Sequence, residues 1–394
     1  MKAVVLAAGE GLRLGPFTET LPKVMLPVGN KPILHHIIEA LDNTTIDEII
    51  VVIGYQKNKI LQYFKDYPKL PIKYIEQEKQ LGTAHALYQA KDEIDDDFLV
   101  VFGDNLIDVQ SLQKMIDLKT SNGILITSHA HPSNYGVVDV NDSILTNIVE
   151  KPEKDGDRFI ATGIYRFDPS IFDHIKQSID QGKLGMSAII QSLLDQQVTI
   201  GTEKTKSWRD IVYPWDLLSV NESYTSKITR KIGGTIEKQV HIKGPIVIGE
   251  NTRISSGTYL VGPLIIGSDC EIGPNSCIFP STVIGNNCVV QPFTSIRNSI
   301  IMDDTRVGAQ SYIARSIIAE RVMLGHHVTL SENNAMVTIG DEMKKVNDVG
   351  VMIGEDTRIG NQVSIDSGVI IGKDCLVDSL THITKNIKSK VQVV

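Results

Sequence analysis

The 394-residue sequence lacks the features that mark membrane-spanning proteins and exported, disulfide-rich proteins. Its apolar runs, such as residues 4–8 and 49–53, fall far below the roughly 18 residues that indicate a membrane span. It has only four cysteines, with no Cys-x-x-Cys pair and no histidine at zinc-ligand spacing. We therefore expect no membrane partner and no zinc site, and we interpret the cysteines as small core residues in a reducing compartment.

Positive charge is also scarce, since 39 Lys and Arg residues stand against 47 Asp and Glu residues and the net charge is −8. Such a chain has no general electrostatic attraction to nucleic acid, and we expect no nucleic-acid partner. A hydrophobic content of 42% excludes a disordered chain. The opening MKAVVLAAGEG places an apolar stretch directly before a Gly-rich turn, so we interpret it as a first strand, not an export signal, and expect a cytoplasmic protein.

Aromatic residues are scarce in one part of the chain only. Eighteen of the 22 aromatic residues lie in residues 1–230, whereas 17 of the 31 glycines lie in residues 231–394. The composition changes across residues 223–234, a polar basic stretch that ends in two glycines. Because the length also exceeds one ordinary core, we predict two domains, 1–229 and 230–394.

Short β-rich runs alternate with helical patterns in the predicted first domain. The runs lie at residues 3–7, 48–52, 72–76, 98–102 and 123–128, and Pro32 begins one of the helical patterns. This alternation predicts a Rossmann-like α/β domain with a mostly parallel sheet. Ligands bind at the carboxyl ends of parallel strands, so the loops after Ala7, Glu76 and Phe102 are expected to carry the site.

A six-residue repeat dominates the predicted second domain. An aliphatic residue opens each unit from Ile248 onward, as in IGENTR, IGSDCE and IGNNCV. A period of six is too short for a helical repeat and predicts a left-handed parallel β-helix with three short strands per turn. Cys270, Cys288 and Cys375 take the fifth place of their units, where Thr and Val also occur, which indicates core positions.

The repeat is interrupted between Leu330 and Val351. We predict that this segment is a loop that leaves the coil. It carries two adjacent lysines, Lys344 and Lys345.

A Gly-rich segment with two cations follows the first predicted strand. It reads LAAGEGLRLGPFTETLPK, so Gly9 and Gly11 allow backbone amides to approach a polyphosphate while Arg13 and Lys23 supply positive charge. The segment is neither a P-loop, GxxxxGK[ST], nor a GxGxxG dinucleotide fingerprint. Its GxGxR pattern with a later PK resembles the signature of the sugar-1-phosphate nucleotidylyltransferases, the family that makes nucleotide sugars.

The resemblance implies roles for the nucleotide contacts. Arg13 and Lys23 would stabilise phosphate charge, and EQEKQLGTAHAL is similar to the base-recognition stretch, in which Gln77 reads the pyrimidine edge. A Gln side chain offers a donor and an acceptor in one plane, as uracil or thymine requires. We interpret the neighbouring His85 as a packing or hydrogen-bonding residue. The implied nucleotide-binding set is Leu6, Ala8, Gly9, Gly11, Gln77, Gly82 and Thr83.

Asp104 follows a fully apolar predicted strand, where a carboxylate is costly unless it binds something. Mg²⁺ is the natural partner beside phosphates, and the family also has a metal-binding Asp at such a strand end. Asp210 is the predicted second ligand. Asp216 is the weaker candidate because it resembles a helix-starting residue.

Sugar-phosphate contacts are implied in three further stretches, NYGVV, EKP and ATGIY. By the resemblance Glu150 binds sugar hydroxyls and Lys151 meets the phosphate of the sugar. Two departures from the family pattern, at Ala161 and around Ser187, leave the identity of the sugar open. The implied set is Gly136, Glu150, Lys151, Thr162 and Gly163, with Tyr135 beside it.

The resemblance implies Mg²⁺-dependent transfer of a nucleotidyl group from UTP or dTTP to glucose-1-phosphate or N-acetylglucosamine-1-phosphate. The sugar phosphate would attack the α-phosphorus in line, with no covalent enzyme intermediate, so positioning and charge neutralisation supply the catalysis. The β-helix is expected to assemble the chain as a homotrimer or a multiple of it.

Two alternatives stay open. In one, the β-helix also binds acetyl-CoA and acetylates glucosamine-1-phosphate, with His326 or His327 as a base and Lys344 and Lys345 at the CoA phosphates, although Arg315 stands near the place of the family's histidine. In the other, the chain is a noncatalytic regulatory subunit. The presence of Arg13, Lys23 and Asp104 argues against the second, because such a subunit has no need for a charged cluster at a phosphate site.

Overall fold

The computed structural model describes residues 1–67, 70–153 and 156–394, which form two compact units. The first unit comprises Met1–Glu10, Pro22–Met25 and Pro32–Asp210; the second comprises Gly11–Leu21, Leu26–Lys31 and Ile211–Val394. The predicted domain boundary after residue 229 was drawn from the composition of the sequence, and it stays a prediction. No helix in the described part of the chain is both long enough and apolar enough to cross a membrane.

The first unit is built on a nine-stranded sheet. Its strands are β1 Lys2–Ala7, β2 Glu48–Ile53, β3 Ile72–Glu76, β4 Phe98–Phe102, β5 Gly123–His129, β6 Gly136–Asn141, β7 Ile144–Glu150, β8 Arg158–Phe167 and β9 Gly201–Lys204. Their order across the sheet is β3-β2-β1-β4-β8-β5-β9-β7-β6. Strands β3, β2, β1 and β4 are parallel, β9 is parallel to β5, and β8 runs antiparallel to β4 and β5. The predicted Rossmann-like α/β fold is confirmed.

Helices connect and cover these strands. They are α1 Ile33–Asp42, α2 Lys57–Tyr63, α3 Thr83–Tyr88, α4 Val109–Ile116, α5 Ile171–Asp180 and α6 Met186–Asp195, while α7 Asp216–Thr225 belongs to the second unit. Short 3₁₀ turns lie at Leu12–Leu14, Phe17–Glu19, Lys23–Met25, Lys91–Glu93 and Pro132–Asn134. A large apolar core forms where α3, α5 and α6 meet the sheet, and there Phe98 stacks on Phe172 with ring centroids 5.5 Å apart.

The parallel strands end together at one edge of the sheet. Leu6 is in register with Phe102, and Ile53 is in register with both Ala7 and Glu76. The loops after Ala7, Glu76 and Phe102, which were expected to carry the site, therefore begin at neighbouring points of the same edge. This arrangement follows from parallel pairing, because every strand of such a group points its carboxyl end the same way.

Three parallel sheets form the coil of the second unit. The first contains Lys231–Ile232, Ile246–Ile248, Leu264–Ile266, Thr282–Ile284, Ile300–Ile301, Ile317–Ile318, Met352–Ile353 and Ile370–Ile371. The second contains Thr235–Ile236, Arg253–Ile254, Glu271–Ile272, Val289–Val290, Arg306–Val307, Met323–Leu324, Arg358–Ile359, Leu376–Val377 and Gln392–Val393. The third contains His241–Lys243, Tyr259–Val261, Cys277–Ile278, Ser295–Arg297, Tyr312–Ala314, Thr329–Leu330, Ser364–Ile365 and His382–Ile383.

The interior of the coil is a stack of aliphatic side chains. Ile248, Ile266 and Ile284 are in register on successive turns and are almost fully buried. Cys270 and Cys288 are buried in the same core, and each thiol donates a hydrogen bond to a carbonyl of the next turn, at 3.0 and 3.2 Å. The predicted left-handed parallel β-helix is confirmed. Cys270, Cys288 and Cys375 occupy core positions, whereas Cys277 is only partly buried.

The segment that interrupts the repeat is a two-stranded antiparallel hairpin of strands Asn333–Ile339 and Glu342–Val349. The sequence predicted a loop here, and the structure shows that the excursion is a regular ribbon. The turn lies between Ile339 and Glu342, which are paired. We call residues 333–349 the hairpin below.

Candidate active site

Two carboxylates of the first unit share one ammonium group. Asp104 follows β4 by two residues, and its Oδ2 lies 2.8 Å from Lys23 Nζ. Asp210 Oδ1 lies 3.4 Å from the same nitrogen. The side chains of Lys23 and Asp210 keep only 16% and 14% of their exposure, so this charge cluster is largely withdrawn from water. The sequence predicted all three residues, and the structure brings them together.

The two acids determine the charge state of Lys23. Burial alone would lower the pKa of this lysine, because a desolvated ammonium is disfavoured. The negative charges of Asp104 and Asp210 and their hydrogen bonds outweigh that effect and raise the pKa of Lys23 well above its ordinary value. The lysine is therefore a permanent cation over the neutral pH range.

Backbone pairing brings Asp210 to this place from a distant part of the chain. The two-residue strand Arg209–Asp210 pairs antiparallel with Asn105–Leu106, so that Asp210 is opposite Asn105. The Asn105 side chain is buried and donates a 2.7 Å hydrogen bond to the Thr162 carbonyl oxygen. Trp208 Nε1 donates to the same oxygen at 3.0 Å. The segment that carries Asp210 is thus held on both sides, and Asp216 lies instead in the first turn of α7.

The donor set fits a hard cation bound together with phosphates. Mg²⁺ in phosphate-transfer sites takes one or two carboxylates from the protein and completes its shell with water and substrate oxygens. Asp104 and Asp210 supply that number of carboxylates. No group of three or more His, Cys, Asp or Glu side chains with metal-binding geometry occurs in residues 1–67, 70–153 and 156–394.

Gln77 occupies a buried position directly after β3. Its backbone N–H donates to the Ile53 carbonyl at 2.8 Å, and its side chain is only 3% exposed. Its Nε2 donates to the Gly82 carbonyl at 3.3 Å and lies 2.8 Å from His85 Nδ1. His85 Nε2 lies 3.3 Å from Gln89 Nε2, so this histidine is part of an amide network.

Gly82 and Thr83 join this loop to the segment before α6. A side chain at Gly82 would bring its Cβ to 2.5 Å from the Leu184 carbonyl oxygen, at a φ of +139° that side chains rarely adopt, so only glycine fits. Thr83 begins α3, and its hydroxyl accepts a 3.1 Å hydrogen bond from the Met186 N–H. The loop predicted to hold the base is therefore built against a second element.

Glu150 lies at the end of β7, where its Oε2 accepts a 2.5 Å hydrogen bond from the Ser187 hydroxyl. Gly136 is paired with Glu150 across the strands, and a Cβ at Gly136 would lie within 3.0 Å of the same hydroxyl. Lys151 follows with a left-handed φ of +45°, and its ammonium lies 3.9 Å from Glu150 Oε1. Glu150 and Lys151 are about half exposed, which leaves them accessible to a substrate.

Thr162 and Gly163 lie in the middle of β8. The Thr162 hydroxyl donates to the Leu125 carbonyl at 2.7 Å and the residue is 2% exposed, so its side chain serves the sheet. Gly163 has a φ of +79°, and a Cβ there would lie 2.6 Å from the Phe102 ring. These two residues shape the backbone beside Asn105, and neither presents a side-chain group for a sugar.

Leu6, Ala8 and Gly9 contribute backbone at the end of β1. The Leu6 carbonyl accepts the Gly103 N–H at 2.8 Å, which holds the turn before Asp104. The Ala8 carbonyl accepts the Tyr55 N–H at 3.2 Å. Gly9 is exposed, and a Cβ there would meet nothing within 4 Å.

Gly11 and Arg13 belong to the second unit. Gly11 has a left-handed conformation, with φ +70°, and its carbonyl accepts hydrogen bonds from Leu14 N–H and the Thr18 hydroxyl, both at 2.9 Å. Arg13 Nη2 lies 3.3 Å from Glu342 Oε1 on the hairpin. Nothing in the sequence indicated Glu342 as a partner of Arg13.

The four residues considered for acetyl transfer lie in two elements: the histidines follow the coil strand Met323–Leu324, and the lysines lie on the hairpin. His326 and His327 are exposed neighbours, and His326 Nδ1 accepts a 3.0 Å hydrogen bond from the Ala309 backbone N–H. Because that donor is an amide, a neutral His326 carries its proton on Nε2, which is then a donor and not a base. Lys344 lies 3.4 Å from Glu342, whereas Lys345 is exposed.

A cavity of about 780 Å³ in the first unit was not foreseen from the sequence. Its wall includes Asp210, the aromatic rings of Tyr135 and Trp208, and the cation Lys204. Tyr135 and Trp208 meet edge to face, with ring centroids 5.5 Å apart. A GxG or PK motif could not have indicated this cavity, because α4, β5, β8 and the segment before Asp210 form it together.

Comparison with known families agrees with this geometry. Residues 2–227 match the family model described as nucleotidyl transferase. Residues 260–352 match the GMPPB C-terminal domain, and residues 350–379 match the hexapeptide repeat of succinyl-transferase. The first match spans the Gly-rich segment, Asp104 and Asp210.

Some relatives align with nearly the whole of this chain, across both the nucleotidyl transferase match and the hexapeptide repeats. The "Bifunctional protein GlmU" of Methanococcus maripaludis strain C7 is 41% identical, over 96% of this chain and 95% of the relative. A "Bifunctional sugar-1-phosphate nucleotidylyltransferase/acetyltransferase" of Sulfurisphaera tokodaii is 33% identical over 94% of both chains. A solved putative glucose-1-phosphate thymidylyltransferase from Bacillus anthracis is 26% identical, covers 59% of this chain and 97% of its own, and has a TM-score of 0.53. This chain belongs to the sugar-1-phosphate nucleotidylyltransferase family, in the form that carries a C-terminal hexapeptide-repeat β-helix.

Proposed function

We propose that this nucleotidylyltransferase uses Mg²⁺ to transfer a nucleotidyl group from UTP or dTTP to a sugar-1-phosphate, either glucose-1-phosphate or N-acetylglucosamine-1-phosphate. The products are a nucleotide sugar and pyrophosphate. The observation that carries this proposal is the Lys23 ammonium held between Asp104 and Asp210 at the carboxyl edge of parallel strands. Such a cluster provides fixed positive charge and two metal-binding oxygens at one point.

The chemistry needs little more than positioning and charge. An oxygen of the sugar phosphate forms a bond to the α-phosphorus of the triphosphate while the bond from that phosphorus to the pyrophosphate oxygen breaks. Fixed cations in a partly desolvated site stabilise the charge that develops in such a transfer. Lys23 and Arg13 would meet the triphosphate and Lys151 the sugar phosphate, while Asp104 and Asp210 would hold Mg²⁺, which neutralises phosphate charge when bound.

The buried position of Gln77 supports its role in base recognition. Its Nε2 is directed by the Gly82 carbonyl and by His85, so the orientation of the amide is set before a base arrives. A preorganised amide avoids the cost of ordering a free side chain, and donation to a uracil or thymine edge would take one Nε2 hydrogen from Gly82 or His85. We propose that Gly82 and Thr83 enclose the base and that Leu6, Ala8, Gly9 and Gly11 offer backbone to the nucleotide.

The half-exposed pair of Glu150 and Lys151 is proposed to bind the sugar phosphate. Glu150 Oε2 is oriented by Ser187, and Oε1, which has a 3.9 Å contact with Lys151, can accept from sugar hydroxyls. Lys151 extends from a left-handed backbone position, and its ammonium lies 3.9 Å from Glu150 Oε1. Gly136 contributes the backbone paired with Glu150, and Thr162 and Gly163 contribute backbone beside Asn105.

The proposal is tested by an isosteric change at Asp104. Asp104→Asn keeps the size and a hydrogen bond to Lys23 but removes the charge, and we expect pyrophosphate release to fall about 10²-fold or more. Asp92→Asn is the matched control, because Asp92 is an exposed carboxylate of the same unit. The assay uses UTP and dTTP against a panel of sugar-1-phosphates. Undiminished turnover in Asp104→Asn would exclude Asp104 as a metal ligand.

Acetyl transfer by the β-helix is the second candidate, because relatives that align along the whole chain are named bifunctional. Its substrates would be acetyl-CoA and glucosamine-1-phosphate. We expect His326 to act through an Nε2–H donor, since its Nδ1 is taken by Ala309. Incubation of the purified protein with both substrates, followed by measurement of free CoA thiol, tests the activity. No thiol release from a protein that transfers nucleotide would assign the β-helix to assembly.

Assembly through the β-helix as a homotrimer remains our proposal for its structural role. Met323 and Leu376 are large apolar side chains on outward positions of the same sheet of the coil and are 44% and 42% exposed. Burying them against another copy would stabilise an oligomer. Sedimentation equilibrium measures the mass directly, and a monomer at micromolar concentration would contradict the proposal.

A further inference from the structure

The hairpin places a carboxylate on the arginine of the Gly-rich segment. Glu342 is the first residue of the returning strand, and its Oε1 lies 3.3 Å from Arg13 Nη2. Both residues belong to the second unit. The ion pair is about half exposed, so its direct contribution to stability is small. The ion pair matters here because it orients Arg13.

Glu342 has two partners besides Arg13. The Tyr213 hydroxyl donates to Glu342 Oε2 at 2.8 Å, and Lys344 Nζ lies 3.4 Å from the same oxygen. The Tyr213 ring is buried and stacks on Trp215, with centroids 4.9 Å apart. The hydrogen bond from Tyr213, with support from Arg13 and Lys344, lowers the pKa of Glu342, so the carboxylate is charged at neutral pH.

The hairpin itself is anchored to the coil. Val337 is fully buried, and the Asn386 side chain donates to the Thr338 carbonyl at 3.0 Å. Arg315 Nε donates to the Asp348 carbonyl on the returning strand. The end of the hairpin that carries Glu342 is therefore attached to the coil through fixed contacts.

The Gly-rich segment has a second anchor on the same unit. Ser389, in the last turn of the coil, lies 2.8 and 2.9 Å from the two carboxylate oxygens of Glu19. Glu19 and Arg13 lie on the same stretch, Gly11–Leu21. The coil thus holds this stretch through Glu19, and the hairpin holds it through the guanidinium of Arg13.

We propose that Glu342 is a positioning residue for nucleotidyl transfer, because it fixes the guanidinium of Arg13 for the triphosphate. A guanidinium has five N–H donors in a rigid fork, so one nitrogen can rest on Glu342 while the others face a phosphate. An unsupported arginine would have to be ordered at the moment of binding, which weakens binding. The inference rests on the proposed function, since it assigns Arg13 to the triphosphate.

The test compares the charge-free and truncated forms of Glu342. Glu342→Ala removes the support, and we expect kcat/KM for UTP to fall roughly threefold to tenfold through KM. Glu342→Gln keeps one acceptor oxygen for Arg13, and its NH2 group can donate to the Tyr213 hydroxyl in place of the lost oxygen, so we expect it to stay within about twofold of the parent. Asp341→Asn is the matched control, because it removes the neighbouring charge at the hairpin turn. Thermal unfolding of each variant should match the parent.

Combination with Arg13→Ala separates this proposal from the proposed function. In the Arg13→Ala background, Glu342→Ala should cause no further loss, because its effect passes through Arg13. The proposal is overturned if Glu342→Ala behaves like Asp341→Asn, if both Glu342 variants bind UTP more tightly than the parent, or if the two losses multiply. A parent protein that releases no pyrophosphate refutes the proposed function instead, and UTP binding measured by calorimetry on the same variants then decides the role of Glu342.

Discussion

Replacing Lys23 by methionine removes the cation that two carboxylates share. The 2.8 Å contact with Asp104 corresponds to a gross attraction of about 6 kcal/mol at an effective dielectric constant of about 20. Desolvation of the ammonium offsets much of that attraction. Since removing one partner leaves acids that are only 30% and 14% exposed, we expect Lys23→Met to lower the free energy of unfolding by about 2–4 kcal/mol.

Urea unfolding near neutral pH measures this loss, and Lys57→Met is the matched control. Lys57 forms an ion pair with Glu76 in which both side chains are about 40% exposed, so we expect a cost of about 1 kcal/mol or less. Mg²⁺ should recover part of the loss in Lys23→Met, because it takes the place of the missing charge between Asp104 and Asp210.

The pH dependence of the loss follows from the sign of the shift. Because folding raises the pKa of Lys23, its stabilising contribution is complete below the pKa of the unfolded chain and is lost only as the pH rises through the folded-state value. The loss in free energy of unfolding caused by Lys23→Met should therefore stay constant across the neutral pH range. A deficit no larger than that of Lys57→Met, or an equal response of both variants to Mg²⁺, would refute the reasoning.

Three further outcomes follow from the geometry. Gly163→Ala should lower the free energy of unfolding by about 2 kcal/mol in urea, because it combines a φ of +79° with a Cβ 2.6 Å from the Phe102 ring; a stability equal to the parent would contradict that backbone. Gln77→Ala should raise KM for UTP about tenfold with little change in kcat in steady-state assays, and an unchanged KM would remove it from base recognition. Ile296→Ala should cost about 3 kcal/mol in urea unfolding, since Ile296 is fully buried in the coil, whereas a loss below about 1 kcal/mol would contradict close packing there.

Much of the architecture could be predicted from local patterns. The strands before Ala8 and Gly103 were identifiable because buried parallel strands are short continuous apolar runs, and their common edge follows from parallel topology. The strand before Gln77 reads IKYIE and is partly exposed at the edge of the sheet, so its signal was weaker. The β-helix was identifiable because each turn repeats the same inward aliphatic position, as at Ile266 and Ile284.

The parts that escaped prediction depend on contacts between distant segments. The hydroxyl of Thr162 donates to the Leu125 carbonyl, which a motif for sugar contacts cannot show. The partnership of Arg13 with Glu342 joins the first motif of the chain to a hairpin near its end. The charge pattern of the sequence did not indicate this ion pair. A Glu in a polar strand looks like an ordinary solvated residue until the position of that strand in the fold is known.

The central claim is that nucleotidyl transfer to a sugar-1-phosphate occurs at the Lys23–Asp104–Asp210 cluster. The most direct measurement follows UTP labelled at the α-phosphorus, with Mg²⁺ and each sugar-1-phosphate in turn, and is repeated with Asp104→Asn. We expect the label to appear in a nucleotide sugar together with an equal amount of pyrophosphate, and we expect both products to depend on the sugar phosphate and to be lost in the variant. Label in free UMP regardless of the sugar phosphate, or full transfer by Asp104→Asn, would contradict it.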